Sequence, residues 1–161
     1  MSVFKNKNSI SAADPFISVN GDVKASISNR VDLHTQNIQF FKDDNSSEIA
    51  FIARSYETGF KDSKKGMFLI FSSDIQSGTY NPADPAFPFQ SLYYYENGAN
   101  DNFTTSYVYE AEVGIVKVEV ISKNQEALRY LIDFDFKGKD NRTEELHIKG
   151  IAHLNVFTRS S

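Results

Sequence analysis

Apolar and polar residues alternate with a period of two along most of this chain, and short polar turns interrupt the alternation. Phe16-Ile17-Ser18-Val19 runs into Asn20-Gly21, a pair that favours tight hairpin turns, after which Val23, Ala25 and Ile27 alternate with Lys24, Ser26 and Ser28. This predicts a strand pair with its turn at Asn20-Gly21. Val31 and Leu33 continue the sheet after a kink near Asn29. Ile38 to Phe41 reads as a strand stopped by Lys42-Asp43-Asp44-Asn45 and paired in a hairpin with Ile49 to Ala53. A charged, glycine-flanked loop from about Tyr56 to Gly66 follows. Met67-Phe68-Leu69-Ile70-Phe71 is unbroken apolar sequence, which predicts a strand covered on both faces.

Beyond Gly78 the chain becomes rich in proline and aromatics. Pro82, Pro85 and Pro88, interleaved with Phe87 and Phe89, preclude a regular central strand, because proline donates no ladder hydrogen bond. Residues 81–92 are therefore expected to form a long loop or an edge. Tyr93-Tyr94-Tyr95 reads as a short strand, Glu96 to Asn102 as a turn around Gly98, and Ser106 to Tyr109 as the partner strand. Gly114 to Ile121 places Val116, Val118 and Val120 on one face. Leu128, Tyr130, Ile132, Phe134 and Phe136 form the inward set of the next strand. The last sets Leu146, Ile148, Gly150, Ala152 and Leu154 against Glu145, His147, Lys149, Ile151 and His153.

About nine to ten strands with frequent turn signals, no useful helical period and no internal repeat predict an all-β fold. The expected form is a single antiparallel β-sandwich or flattened barrel with a long Pro/aromatic-rich loop. Residues 1–14 are expected to be a flexible polar arm, and residues 15–161 one domain. A chain of 161 residues can bury roughly two-thirds of its unfolded surface without staples. Its 14 Phe and 8 Tyr suit pleated, half-buried surfaces.

A formal net charge of −4 supplies no basic footprint, so nucleic acid is not an expected partner. Without cysteine there is no disulfide, thiolate metal site or thiol nucleophile. No apolar run approaches the ~20 residues of a membrane-spanning helix, and the N-terminus lacks the apolar core of a signal peptide. The default expectation is a cytoplasmic protein with no membrane insertion. A mature segment of a secreted or surface protein would look the same.

The order of short motifs carries a resemblance. Val19-Asn20-Gly21 followed by Ala25-Ser26, then Gly78-Thr79-Tyr80, a Tyr-rich middle, Gly114 before a Val-rich strand, Phe134-x-Phe136 and a final strand containing Gly150 resemble a bacterial family of β-sandwich domains of unknown function. Members of that family are common among Bacteroidetes lipoproteins and related surface proteins. The resemblance spans about residues 16 to 157 and implies the β-sandwich fold. It implies no catalytic residues, and the acylated cysteine of a lipoprotein is missing.

Candidate chemistry is sparse. His147 and His153 share one strand face, but six residues at ~3.3 Å each put them ~20 Å apart, too far to share a metal. His34 is the third histidine. Asp133 and Asp135 share a polar face at ~7 Å, a spacing compatible with paired carboxylate chemistry or a calcium site, but outward Asp residues more commonly pair across strands, here with Lys117 or Lys149. Asp43-Asp44-Asn45 and Asn100-Asp101-Asn102 are expected to be turns. No nucleophile elbow, phosphate loop or His-Glu-x-x-His motif occurs.

Binding character resides in the aromatics Phe87, Phe89, Tyr93, Tyr94, Tyr95, Tyr107 and Tyr109, since exposed Tyr and Phe favour protein and sugar interfaces. The leading expectation is a non-catalytic module that binds a protein or glycan, or a second copy of itself, through this segment, with no cofactor. A hydrolase with a carboxylate or histidine site on a sheet face is one alternative. A structural subunit of a larger assembly is the other.

Overall fold

The computed structural model describes residues 16–56, 64–99 and 104–159. The predicted arm and the Asn100-Asp101-Asn102 turn lie outside them. Within them the chain forms ten strands: β1 (Phe16–Ile27), β2 (Leu33–Thr35), β3 (Ile38–Lys42), β4 (Glu48–Tyr56), β5 (Lys64–Ser72), β6 (Gly78–Tyr80), β7 (Phe89–Ala99), β8 (Thr104–Lys123), β9 (Ala127–Lys139) and β10 (Glu145–Arg159). All pairings are antiparallel, in the order β2-β1-β10-β9-β8-β7-β5-β4-β3, with β6 added to β8 beyond the reach of β7. The described residues include no helix.

The sheet rolls until its ends meet. Thr35 Oγ1 donates to Arg54 O at 2.6 Å, and the Arg54 N–H donates to Asn37 O at 3.0 Å, so the β2–β3 connection is fastened to β4. The result is one nearly closed, all-β barrel. Alternation puts the interior residues where the sequence places them: Tyr130, Ile132, Phe134 and Phe136 of β9 and Leu146, Ile148, Ala152 and Leu154 of β10 are all buried. An aromatic file crosses this core, from Phe87 on Phe89, to Phe71, to Phe51 and to Phe40, with successive centroids 5.2–5.9 Å apart.

Met67 to Phe71 is buried at every position, as its unbroken apolar run predicts. Met67, Leu69 and Phe71 enter the barrel core. Phe68 and Ile70 join a second cluster with Ala50, Ile52 and Tyr95 on the opposite, outward face of the wall, where Phe41 and Tyr93 pack against them.

Two predicted turns are instead inside strands, and one predicted strand start lies in mid-strand. Asn20 and Gly21 lie in β1 opposite Asn155 and Leu154, and Asn155 Nδ2 donates to Asn20 Oδ1 at 3.0 Å. A Cβ on Gly21 would stand 2.2 Å from His153 O, so the glycine permits close approach of β10 and makes no turn. Gly98 pairs with Thr105 inside a hairpin longer than expected. Gly114, expected at a strand start, sits within the 20-residue β8, beside a bulge between Ala111 and Val113 and with φ +141°. The predicted kink is at Asn29, which takes φ 58° in the turn from β1 to β2. The proline-rich loop spans residues 81–88. Asn81 and Asp84 side chains accept the N–H groups of Ala83 and Ala86, each at 2.9 Å, and Phe87 folds back onto the core.

Candidate functional site

The two ends of the barrel differ in chemistry. One is sealed by a charged network. Glu96 follows Leu92 and Tyr94 on the inward parity of β7, and Arg30, in the β1–β2 turn, bonds it at 2.8 Å and Glu144 at 2.9 Å. Tyr94 donates to Glu96 at 2.8 Å and Tyr109 to Glu144 at 2.8 Å. Arg142 completes the set, its Nε 2.6 Å from Asp140 Oδ2 and its guanidinium 3.6 Å from the Tyr107 ring centre. The buried Lys65 donates to Val31 O and Asp32 O at 3.2 and 3.3 Å.

Burial alone would raise the Asp140 carboxyl. Arg142, with the N–H groups of Glu144 and Arg142 donating to it, outweighs that and holds it below the usual carboxylate range. Burial first, then the hydrogen bond to Glu144, pushes the Tyr109 hydroxyl up to about 12. Each acid in this network faces a cation or a hydroxyl donor. The arrangement closes the barrel end and joins β7, β8 and the β9–β10 turn.

At the opposite end, where β1 runs past the short edge strand β2, β1 and the other edge strand, β3, face each other. Among the described residues no backbone hydrogen bond links the two strands. The seam is fastened at Thr35 and Asn37 and open toward Ile17 and Lys42, and the opening is a cleft of about 610 Å³. Its floor is apolar: Ile17 and Val19 from β1, Phe40 from β3, Ile49 from β4, Leu128 from β9 and Val156 from β10. The rim comes from the turns at this end and carries Ser46, Ser47, Asn124 and Gln125, together with Lys42 and Asp44, whose charges cancel. Tyr130 lies below, its hydroxyl donating to Ser73 O at 3.3 Å. No family model matches the chain, and no curated protein or solved structure matches it.

The seven aromatics expected to form one binding surface are not brought together. Phe89, Tyr94, Tyr95 and Tyr109 are buried, and Phe87, Tyr93 and Tyr107 are half-buried. Tyr94 and Tyr109 point into the barrel, 6.0 Å apart, and their hydroxyls serve the charged network. Tyr93 and Tyr95 belong to the outward cluster, Phe87 and Phe89 to the core file. Alternation separates neighbours in a Tyr-Tyr-Tyr run onto opposite faces, so the run cannot make one surface.

The candidate carboxylates and histidines lie on the outer face. Asp133 stands opposite Lys117 in register and Asp135 opposite Lys149, but among the described residues neither lysine forms the expected ion pair, and Asp135 pairs with His147. His147 contacts Asp135, and His34 Nε2 lies 2.7 Å from Asp22 Oδ1. Among the described residues no group of three or more His, Asp or Glu could hold a metal. Sequence reasoning missed the cleft because its six floor residues come from five strands. For the charged network, one signal was present: Glu96 falls on the inward parity of Leu92 and Tyr94.

Proposed function

We propose that this protein is a non-catalytic binding module that holds one small amphipathic molecule in the cleft between β1 and β3. The observation that carries the reading is that one cleft, of about 610 Å³, pairs a continuous apolar floor with a polar rim of no net charge. That volume suits a small ligand, and apolar walls with a few polar groups are the usual form of such sites. An alkyl chain on the floor gains about 0.8 kcal/mol per buried CH₂. Hydroxyl and amide side chains at the rim favour a neutral, hydrogen-bonding head over an ionised one.

Titrating the full chain with a medium-chain monoacylglycerol tests this by amide NMR. Saturable shifts are expected at Ile17, Val19, Leu128 and Val156. Val19→Trp, which fills the cleft from a half-buried position, should weaken binding about tenfold or more, equivalent to at least 1.4 kcal/mol. Absent shifts, or shifts confined to Phe87 and its loop, would sink the cleft as the site. The second pattern would favour the 80–95 segment as the contact for a partner.

A further inference from the structure

We infer that the cleft selects ligands bearing a carbonyl at the head of the alkyl chain, an ester or an amide, and that Asn124 makes the selection; this rests on the cleft being the binding site. Asn124 stands on the rim, in the turn from β8 to β9. Its N–H donates to Ala127 O at 2.9 Å, which fixes its backbone. Its side-chain oxygen is occupied as well: Oδ1 accepts the N–H groups of Glu126 at 2.8 Å and Ala127 at 2.9 Å. An amide held in this way by its oxygen has its nitrogen left for a ligand, and Nδ2 donates but does not accept. Asn124 is exposed, so a bound molecule can reach that nitrogen.

The neighbouring rim groups carry no such preference. Ser46 Oγ donates to Asp43 Oδ2 at 3.0 Å, and the Ser47 and Ser72 hydroxyls bond each other at 2.8 Å, so both rim serines are engaged within the protein. The exposed Gln125 can turn either end of its amide outward. Asn124 is thus the neutral rim group whose polarity the fold has fixed. Its position suits the head of an alkyl chain. Leu128, on the apolar floor, is paired in register with Lys123, the residue before Asn124. The amide therefore sits about one residue step, ~3.3 Å, beyond the rung that carries Leu128. A chain laid over Leu128 brings its first carbon opposite Asn124, where a carbonyl accepts a hydrogen bond and a methylene cannot.

Two matched probes test this on the full chain: monooctanoylglycerol, an ester, and octylglycerol, the ether with a methylene in place of the carbonyl. The ether is the more apolar of the two, so burial alone would make it bind more tightly. The ester is expected to bind about 3- to 10-fold more tightly instead, and to shift the Asn124 side-chain amide resonances, which the ether leaves in place. Asn124→Asp keeps an oxygen for the two turn N–H groups but presents an acceptor to the ligand, so ester affinity should fall to that of the ether or below while ether affinity holds. An ether that binds the parent chain as tightly as the ester overturns the inference and leaves the cleft as the site. Equal weakening of both probes by Asn124→Asp does the same. If neither probe binds the parent chain, the cleft reading itself fails and the inference falls with it.

Discussion

Arg30 Nε lies 2.8 Å from Glu96 Oε2, joining the β1–β2 turn to the middle of the opposite wall, while the other arm of the same guanidinium holds Glu144. The Arg30 and Glu96 side chains are about one-quarter exposed, so solvent screens the pair only in part. Replacing Arg30 by Met keeps much of the packing but leaves two carboxylates facing each other. The expected loss is about 1–3 kcal/mol, read from the urea midpoint. Glu96→Gln retains a hydrogen-bond acceptor and should cost less. Equal losses for the two variants would mean that packing, and not charge, governs this end.

The same network sets the pH response. Asp140 has a carboxyl pKa held below its unfolded value, so its contribution is present above about pH 3.9 and is lost as pH falls through the folded pKa. Asp140→Asn should therefore flatten the acid limb of stability against pH. The alkaline limb runs the other way. Burial raises Tyr93, Tyr109 and Tyr130 to about 12. Unfolded tyrosines release protons from about pH 10, while folded ones retain them, so stability falls between about pH 10 and 12. Phenolate absorbance of the native protein should rise late for these three, and Tyr109→Phe should soften the alkaline loss. A stability profile unchanged by both substitutions would contradict the assignment.

How much of this was legible in the sequence depends on whether local or long-range forces decide a position. The alternation in β9 and β10 and the run Met67 to Phe71 were readable because burial dictates residue type at each site. Asn20-Gly21 misled because its local preference for a turn is weaker than twelve residues of pairing between β1 and β10. Gly98 misled for the same reason. Glycine marks both turns and close backbone approaches, and only the partner strand distinguishes them. The cleft was hidden because Phe40 and Leu128 become neighbours only after the sheet closes.

Gly114 offers a direct test of that distinction. Its φ of +141° lies where side chains are rarely found, and a Cβ there would stand 2.1 Å from Asp135 O and 2.7 Å from Phe136 Cα. Both contacts are backbone and have little room to move. Gly114→Ala should destabilise by about 3 kcal/mol and disturb amide shifts on β9 around Asp135. A loss below about 1 kcal/mol would show that the bulge at Ala111 and Val113 relaxes to absorb the methyl group.

Phe71 is the junction of the aromatic file, with Phe51 at 5.9 Å, Phe89 at 5.2 Å and Tyr130 edge-on at 5.1 Å. It is 1% exposed, so truncation removes transfer energy and opens a cavity in a barrel whose wall is held by cross-strand bonds and cannot collapse freely. Phe71→Ala should cost about 3–5 kcal/mol. Tyr130→Phe keeps the edge-on ring and removes only a 3.3 Å hydrogen bond to Ser73 O, so its cost should be about 1 kcal/mol or less. Because Phe51 and Phe40 carry the file on to the cleft floor, the cavity left at Phe71 should also loosen ligand held there. If Phe71→Ala lowers thermal stability but leaves monoacylglycerol affinity intact, the floor is set by β1 and β9 alone and the file serves only the core.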